Sequence, residues 1–389
     1  MKVSKRPARP YLIIIRIALF LILAACVAAL MAKQRRIQAR SDIYHANWEN
    51  APIRVHDEVA NMTPAQREAV LQKYFKSTNP SLRFAAVDEK ENTKDASFAP
   101  MLEAALVDSS SMVRERGLEL YPPVDPVRAE KVMLAGLQDD DSWIRRSAVS
   151  TLRYQAIQDG LPDAKATVPY LIKALSDPEY SIPYLAAHVL CVITNHTWEV
   201  LRRSSPEKQK AVLDKWRAWW ASKEKTWPVN PVYKDIKPIY PQRKDPAPDF
   251  GLRDLDGNSQ NLGSESGKIV LLNFWLPESK FSRDDSAALQ KVSDTYKDKG
   301  VDVIGVALPI VKTQAEARHW IEIYKTKYPQ CLANDDILSD FGGIDEPITV
   351  LIDGDGKLRY RWEGDRDYES FQAAVDRLLA EKAASGQKQ

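Results

Sequence analysis

Cysteine is scarce: Cys26, Cys191 and Cys331 are the only three in 389 residues, so the chain has neither a disulfide framework nor any C-x-x-C pair. An excess of charge of one sign is also lacking. Lys and Arg total 55 against 53 Asp and Glu, and a net charge of +2 supplies no basic field of the kind nucleic acid requires, which excludes nucleic acid as the main partner. With 15 Gly and 24 Pro, collagen and wholesale disorder are excluded. What remains is a globular bulk, 44% hydrophobic and 28% charged, long enough for two or three units at roughly 150 residues per domain.

The N-terminus differs from the rest. A basic segment, residues 1–10, carries Lys2, Lys5, Arg6 and Arg9. It precedes an apolar run from Tyr11 to Ala32, closed by Lys33, Arg35, Arg36 and Arg40. At 1.5 Å per residue such a run spans ~30 Å of hydrocarbon, with Arg16 near enough to one end to snorkel. Two readings stay open: an uncleaved transmembrane anchor over residues 11–32, or an export signal, since Leu23-Ala24-Ala25-Cys26 resembles a lipobox in which Cys26 would be acylated. The flanking charges tie, and only the α-amino group tilts the orientation towards a cytoplasmic N-terminus. Residues 33–60 read as a juxtamembrane linker.

From Met62 to Trp227 the pattern is helical and periodic. Asn79-Pro80-Ser81-Leu82-Arg83, Asp108-Ser109-Ser110-Ser111-Met112-Val113-Arg114 and Asp140-Asp141-Ser142-Trp143-Ile144-Arg145 place Arg83, Arg114 and Arg145 at intervals of 31 residues. Each arginine opens an apolar helix, and another amphipathic stretch precedes each turn, so the unit is a helix pair whose apolar face only a neighbouring pair can cover. These motifs resemble the HEAT-repeat family. The resemblance implies an all-α solenoid over residues 61–226 that offers an extended surface to another protein. Pro183 takes the arginine's place in the last unit, and Trp216, Trp219 and Trp220, at i, i+3 and i+4, share one helix face as an expected cap. His188, Cys191 and His196 have metal-binding donor atoms but no evident fourth ligand, so no metal is expected.

Six prolines between Trp227 and Pro248 predict a stiff, extended linker over residues 227–246. Beyond it strand and helix alternate: Lys268–Trp275, a helix from about Ser282, Val301–Leu308, a helix from about Gln314, Ile348–Ile352, a hairpin into Lys357–Trp362, and a helix from Tyr368 to Lys382. That grammar predicts an α/β sheet covered on both faces, followed by a tail, residues 383–389.

Ala247-Pro248-Asp249-Phe250, Asp254-Leu255-Asp256-Gly257, Gly267–Trp275 and Glu346–Gly356 resemble the membrane-anchored thioredoxin-like family of TlpA and ResA type, related to the AhpC/TSA redoxins, over residues 247–382. The resemblance implies a thioredoxin-like fold with W-C-x-x-C shortly after Trp275, at the start of a helix. This chain instead reads Trp275-Leu276-Pro277-Glu278-Ser279-Lys280-Phe281-Ser282. Ser279 and Ser282 fall on both cysteine positions, and Glu278 replaces the tryptophan. A hydroxyl forms no disulfide and, with no base in view, is a poor nucleophile. Pro347 matches the family's cis-proline, beside which active relatives bind peptide backbone. The resemblance therefore implies a peptide groove of Trp275, Glu278, Ser279, Ser282, Glu346 and Pro347. Cys331 reads as a buried structural thiol.

The expected architecture is multidomain: an N-terminal transmembrane helix, an all-α HEAT-repeat solenoid and a C-terminal α/β thioredoxin-like fold. The expected place is the bacterial cytoplasmic membrane, single-pass, with the soluble domains on the periplasmic side. The expected role is a protein-interaction scaffold without cofactor or catalytic residue, its partner a protein or peptide. The alternative is a thiol-disulfide oxidoreductase or peroxiredoxin-type enzyme, as the family resemblance would imply.

Overall fold

The structure is a computed structural model. It describes residues 51–92, 98–122, 125–179, 181–198, 205–228, 230–277, 279–334, 337, 340, 341 and 348–386. The first helix starts earlier than the linker expected over residues 33–60 allows. α1, Ala51–Val59, buries Ala51, Val55 and Val59, spaced i, i+4 and i+8 on one face.

The helical region continues with α2 (Pro64–Phe75), α3 (Pro80–Asp88), α4 (Ala99–Leu106), α5 (Ser111–Leu120), α6 (Pro126–Gly136), α7 (Ser142–Gln158), α8 (Ala164–Ala174), α9 (Ser181–Thr194) and α10 (Pro206–Lys223). Sequence chemistry sets their starts. Pro stands in the first turn of α2, α3, α4, α6 and α10, where its missing N–H costs nothing, and Thr63, Asn79, Asp125, Asp141, Asp163 and Ser205 cap with a side-chain oxygen. α2 packs on α3, α4 on α5, α6 on α7 and α8 on α9, while α3, α5, α7 and α9 stack successively. Gly117 permits the α4–α5 approach, since a Cβ there would sit 3.0 Å from Ala105 Cβ.

The arginines spaced 31 apart all occupy the fourth residue of their helices, and they make the same contacts. Arg83 Nη1 donates to the carbonyls of Ser77 and Thr78, Arg114 Nη1 to those of Asp108 and Ser109, and Arg145 Nη1 to those of Asp139 and Asp140. The rest of each guanidinium reaches forward to a carboxylate of the next turn: Arg83 to Asp108 at 2.7 Å, Arg114 to Asp141 at 3.2 Å, Arg145 to Asp177 at 2.7 Å. Each turn is therefore held from within and tied to its successor. Pro183 lies in the first turn of α9, and this is where the ladder of arginines stops.

The linker, expected as a stiff and extended spacer, lies hydrogen-bonded along the helical region. Trp227 Nε1 donates to Lys165 O, Asn230 to Asp163, Tyr233 Oη to Glu130, Gln138 to Ile236 O, and the Gln242 N–H to Val107 O.

After it come β1 (Asp245–Pro246), β2 (Gly251–Arg253), β3 (Ser259–Asn261), β4 (Ile269–Trp275), α11 (Lys280–Tyr296), β5 (Val301–Ala307), α12 (Gln314–Tyr324), β6 (Gln330–Leu332), β7 (Ile348–Ile352), β8 (Lys357–Glu363) and α13 (Tyr368–Gly386). The sheet order is β1-β8-β7-β4-β5-β6, with β4, β5 and β6 parallel and β7 and β8 antiparallel; β2 and β3 form a separate hairpin. The period of two divides β4 between faces. Ile269 and Leu271 join Leu289, Val292, Phe371 and Val375 of α11 and α13, whereas Val270, Leu272 and Phe274 join Phe250, Ile304, Val306 and Phe341.

The two domains meet through the repeat turns. β1 pairs β8 only at Lys357 and Leu358, leaving the remainder of that β8 edge open. The turn before α5 closes it: the Arg361 N–H donates to Ser109 O at 2.8 Å, covering a sheet edge that would otherwise offer unpaired backbone. Ser110 and Ser111 donate to the two oxygens of Glu363. Arg366 Nε donates to Asp141 Oδ1 at 2.8 Å and Arg366 Nη2 to Ser111 Oγ, and its guanidinium lies over Trp143. Arg377 binds Asp140.

The expected single-pass membrane localisation does not stand. Among the described residues no helix is long and apolar enough to cross a membrane; even the 18-residue α10 carries Glu207, Lys208, Lys210, Asp214, Lys215 and Arg217, charges the hydrocarbon would not accept. Residues 1–50, with the apolar run 11–32 and Cys26, lie outside those described.

Asp141 is buried and shared by two arginines, so its removal leaves both uncompensated. Arg114→Ala should cost on the order of 3 kcal/mol in urea unfolding, and Asp141→Ala more than Arg114→Ala. A cost for either no larger than that of a surface ion pair would refute the ladder as a source of stability.

Candidate functional site

The site expected from sequence lies at the junction of β4 and α11. β4 ends at Trp275, the chain turns through Leu276 and Pro277, and Ser279 caps α11. The Ser282 N–H donates to Ser279 Oγ at 3.2 Å, the ordinary use of a serine at a helix start. Ser282 is fully buried, and its Oγ accepts the Leu276 N–H at 2.9 Å. Ser286 Oγ donates to Ser282 O at 2.6 Å. Both serine hydroxyls thus satisfy backbone donors of the turn and the first turn of α11.

A carboxyl lies one helical turn further. Asp285 is fully buried; its Oδ1 accepts the Arg366 N–H at 2.8 Å and its Oδ2 the Thr349 hydroxyl at 3.2 Å and Asn273 Nδ2 at 3.4 Å. Burial pushes its pKa up to about 7, against the Arg366 N–H, the Arg366 charge and the Thr349 hydroxyl, which favour ionisation. Arg366 therefore joins this site to the helical region, its backbone N–H on Asp285 and its guanidinium on Asp141.

Trp275 is buried, its ring tilted edge-on to Tyr324 and its Nε1 donating to Gln330 Oε1 at 2.9 Å. Gly305 makes room for that amide, since a Cβ there would lie 2.1 Å from Gln330 Oε1. Cys331, also on β6, is buried, and burial followed by the Asp254 charge pushes its thiol up to about 12. A thiol so placed yields almost no thiolate near neutrality.

Of the six residues expected to form a groove, Ser279 is half-buried, while Trp275 and Ser282 lie beneath the surface. Glu278, Glu346 and Pro347 lie outside the described residues. What this corner does expose is Phe281, with 49% of its surface accessible, between the two serines. Its place in the motif was visible in the sequence but its exposure was not. Asp285 and Arg366 were also missed: Asp285 reads as one more polar position on an amphipathic helix, and nothing local pairs it with residue 366. In the helical region His188 accepts from Arg153 Nε, and the His196 ring bonds the Thr194 hydroxyl. Trp216, the buried member of its face, donates to Trp198 O beneath the His196 and Trp219 rings.

Asp285 supplies a pH signature. With its folded-state pKa raised above the ordinary 3.8, the stability that the neutral form contributes is complete below about pH 4 and lost as pH rises through about 7. Asp285→Asn should flatten that profile, so that the variant gains on the wild type between about pH 4 and 8 by on the order of 2–4 kcal/mol in urea unfolding. Parallel pH profiles would show that Asp285 titrates as in the unfolded chain.

Residues 244–361 match the family described as AhpC/TSA. Over 133 residues the chain is 29% identical to a thiol-disulfide oxidoreductase ResA of Bacillus thuringiensis subsp. konkukian, covering 34% of this chain and 76% of that protein. It is likewise 29% identical over 133 residues to the thioredoxin-like protein YneN of Bacillus subtilis, covering 34% and 78%. Among solved structures, a putative thiol:disulfide interchange protein DsbE from Chlorobium tepidum aligns at 23% identity and a TM-score of 0.33, over 36% of this chain and 98% of that one. The C-terminal domain is thus a thioredoxin-like domain of AhpC/TSA kind, related to the ResA thiol-disulfide oxidoreductases, behind a helical N-terminal region.

Proposed function

We propose that the chain is a protein-binding scaffold: a HEAT-repeat platform carrying a thioredoxin-like module that performs no dithiol chemistry of its own. The observation that carries this reading is the use made of Ser279 and Ser282. At the spacing where ResA-type relatives carry C-x-x-C, both hydroxyls accept backbone N–H groups of the fold. Disulfide exchange requires a thiolate that attacks and a second thiol that resolves the mixed disulfide. The sole thiol of this domain, Cys331, is buried with its pKa pushed up to about 12.

The arginine ladder favours a HEAT reading of the helical region, because each turn is bonded to the next in the manner of a stacked array. The exposed Phe281, flanked by Lys280 at the start of α11, favours an extended protein or peptide segment as the partner of the thioredoxin-like corner. An aromatic anchor of this kind dominates many interfaces.

In an insulin-reduction assay with dithiothreitol the full chain should give no rate above the uncatalysed blank, whereas sustained turnover would restore the oxidoreductase reading. Ser279→Cys with Ser282→Cys should close a disulfide on oxidation, read as loss of two titratable thiols, at an expected cost of about 1 kcal/mol for the lost hydroxyl acceptors. Phe281→Glu should lower recovery of cross-linked protein partners while leaving the melting temperature unchanged. Equal recovery would move the binding role to the helical region.

A further inference from the structure

Where the linker leaves α10 it folds back on α8 and lines an open cavity of about 350 Å³. Its walls include Tyr170, Trp220, Trp227 and Tyr233, with the carboxylates of Glu224 and Asp235 also lining it. Trp220 and Trp227 stand 5.6 Å apart at 67°, forming two walls of a corner. Three of the rings are held by hydrogen bonds. Trp227 Nε1 donates to Lys165 O at 2.8 Å, Tyr170 Oη to Tyr233 O at 2.7 Å and Tyr233 Oη to the buried Glu130 at 2.7 Å. That lowers the ordering cost when a ligand enters.

Asp235 has φ of +56°, a left-handed conformation that aspartate, like asparagine, adopts more readily than most residues. Neither Asp235 nor Glu224 forms a salt bridge among the described residues, and both are exposed. One cation, Lys234, also lines the cavity, and Lys131 lies 5.5 Å from the Tyr233 ring centre. The cavity itself therefore bears two carboxylates and one lysine on aromatic walls.

Aromatic faces carry negative quadrupole potential, and two or more meeting at a corner with a carboxylate nearby favour a large, weakly hydrated cation over a neutral group of the same shape. An ammonium that keeps its N–H donors is strongly hydrated and gives up that water at a cost, whereas a methylated one gives up little on contacting the rings. We propose that this cavity binds a methylated ammonium group, of the kind carried by choline or by a trimethylated lysine side chain.

The test uses the full chain and follows the N-methyl proton signal of choline, which ring currents shift upfield on entering such a corner. Choline should bind saturably with that shift, and 3,3-dimethylbutan-1-ol, its neutral isostere, on the order of tenfold more weakly. A trimethyllysine peptide compared with choline identifies the source: the tighter of the two is the nearer to the natural ligand. Asp235→Asn, which keeps a residue tolerant of the left-handed backbone, and Glu224→Gln should each weaken choline several-fold. Trp220→Leu should abolish the upfield shift while circular dichroism stays unchanged. If the isostere binds as well as choline, or the two carboxylate variants bind choline as the wild type does, the cavity is an apolar pocket and the proposal fails. Absence of saturable binding by both choline and the peptide overturns it as well.

Discussion

One carboxylate, that of Asp141, holds the molecule together. Its Oδ2 accepts from Arg114 of the preceding turn, and its Oδ1 from Arg366 of the C-terminal domain and from the Trp143 N–H that it caps. Burial alone would raise its pKa, but Arg366, Arg114 and the Trp143 N–H outweigh that and hold the group below the ordinary carboxylate range. An ion of this kind is tolerated away from water only because both oxygens have donors and each arginine partner is itself bonded elsewhere. Arg114 is fixed by two carbonyls of its own turn and Arg366 by those of Glu363 and Asp365. Geometry at one domain is consequently inherited by the other.

Much of the fold was legible because its signals are local. The 31-residue interval of Arg83, Arg114 and Arg145 gave the helix pairs, and β4, β5 and β7 announced themselves as short apolar runs bounded by Gly and Pro. The contacts of those arginines were only half legible. That a guanidinium returns to the carbonyls five and six residues behind it is a property of the turn, but its forward partner alternates between the first Asp of the next turn and the third, as Arg83 with Asp108 and Arg114 with Asp141 show. The docking of the domains was not legible at all. Glu363 and Ser111, or Arg366 and Asp141, are joined across more than 200 residues of chain, and no periodicity carries such a distance. The docking of residues 227–246 was illegible for a related reason. Their prolines report the backbone's preference for extension but say nothing about whether an extended strand of chain lies in solvent or on a neighbour.

At the site, the two serines were legible as residues at a helix start and their hydrogen bonds were not. One hydroxyl caps α11 and the other, wholly buried, closes the turn from β4. Phe281 and Asp285, four residues apart, share one face of α11, the first exposed at the helix start and the second buried one turn further in.

The linker's route has a mechanical consequence. Between Trp227 and Arg243 the chain is fastened at Lys165, Asp163, Glu130, Gln138, Val107 and Ser77, in an order that runs back along the helical region towards its N-terminal end. Tension applied between the domains would load the compact patch around Asp141 first. Once it parts, the linker's fastenings would take the load in turn and yield one after another, as a seam opens.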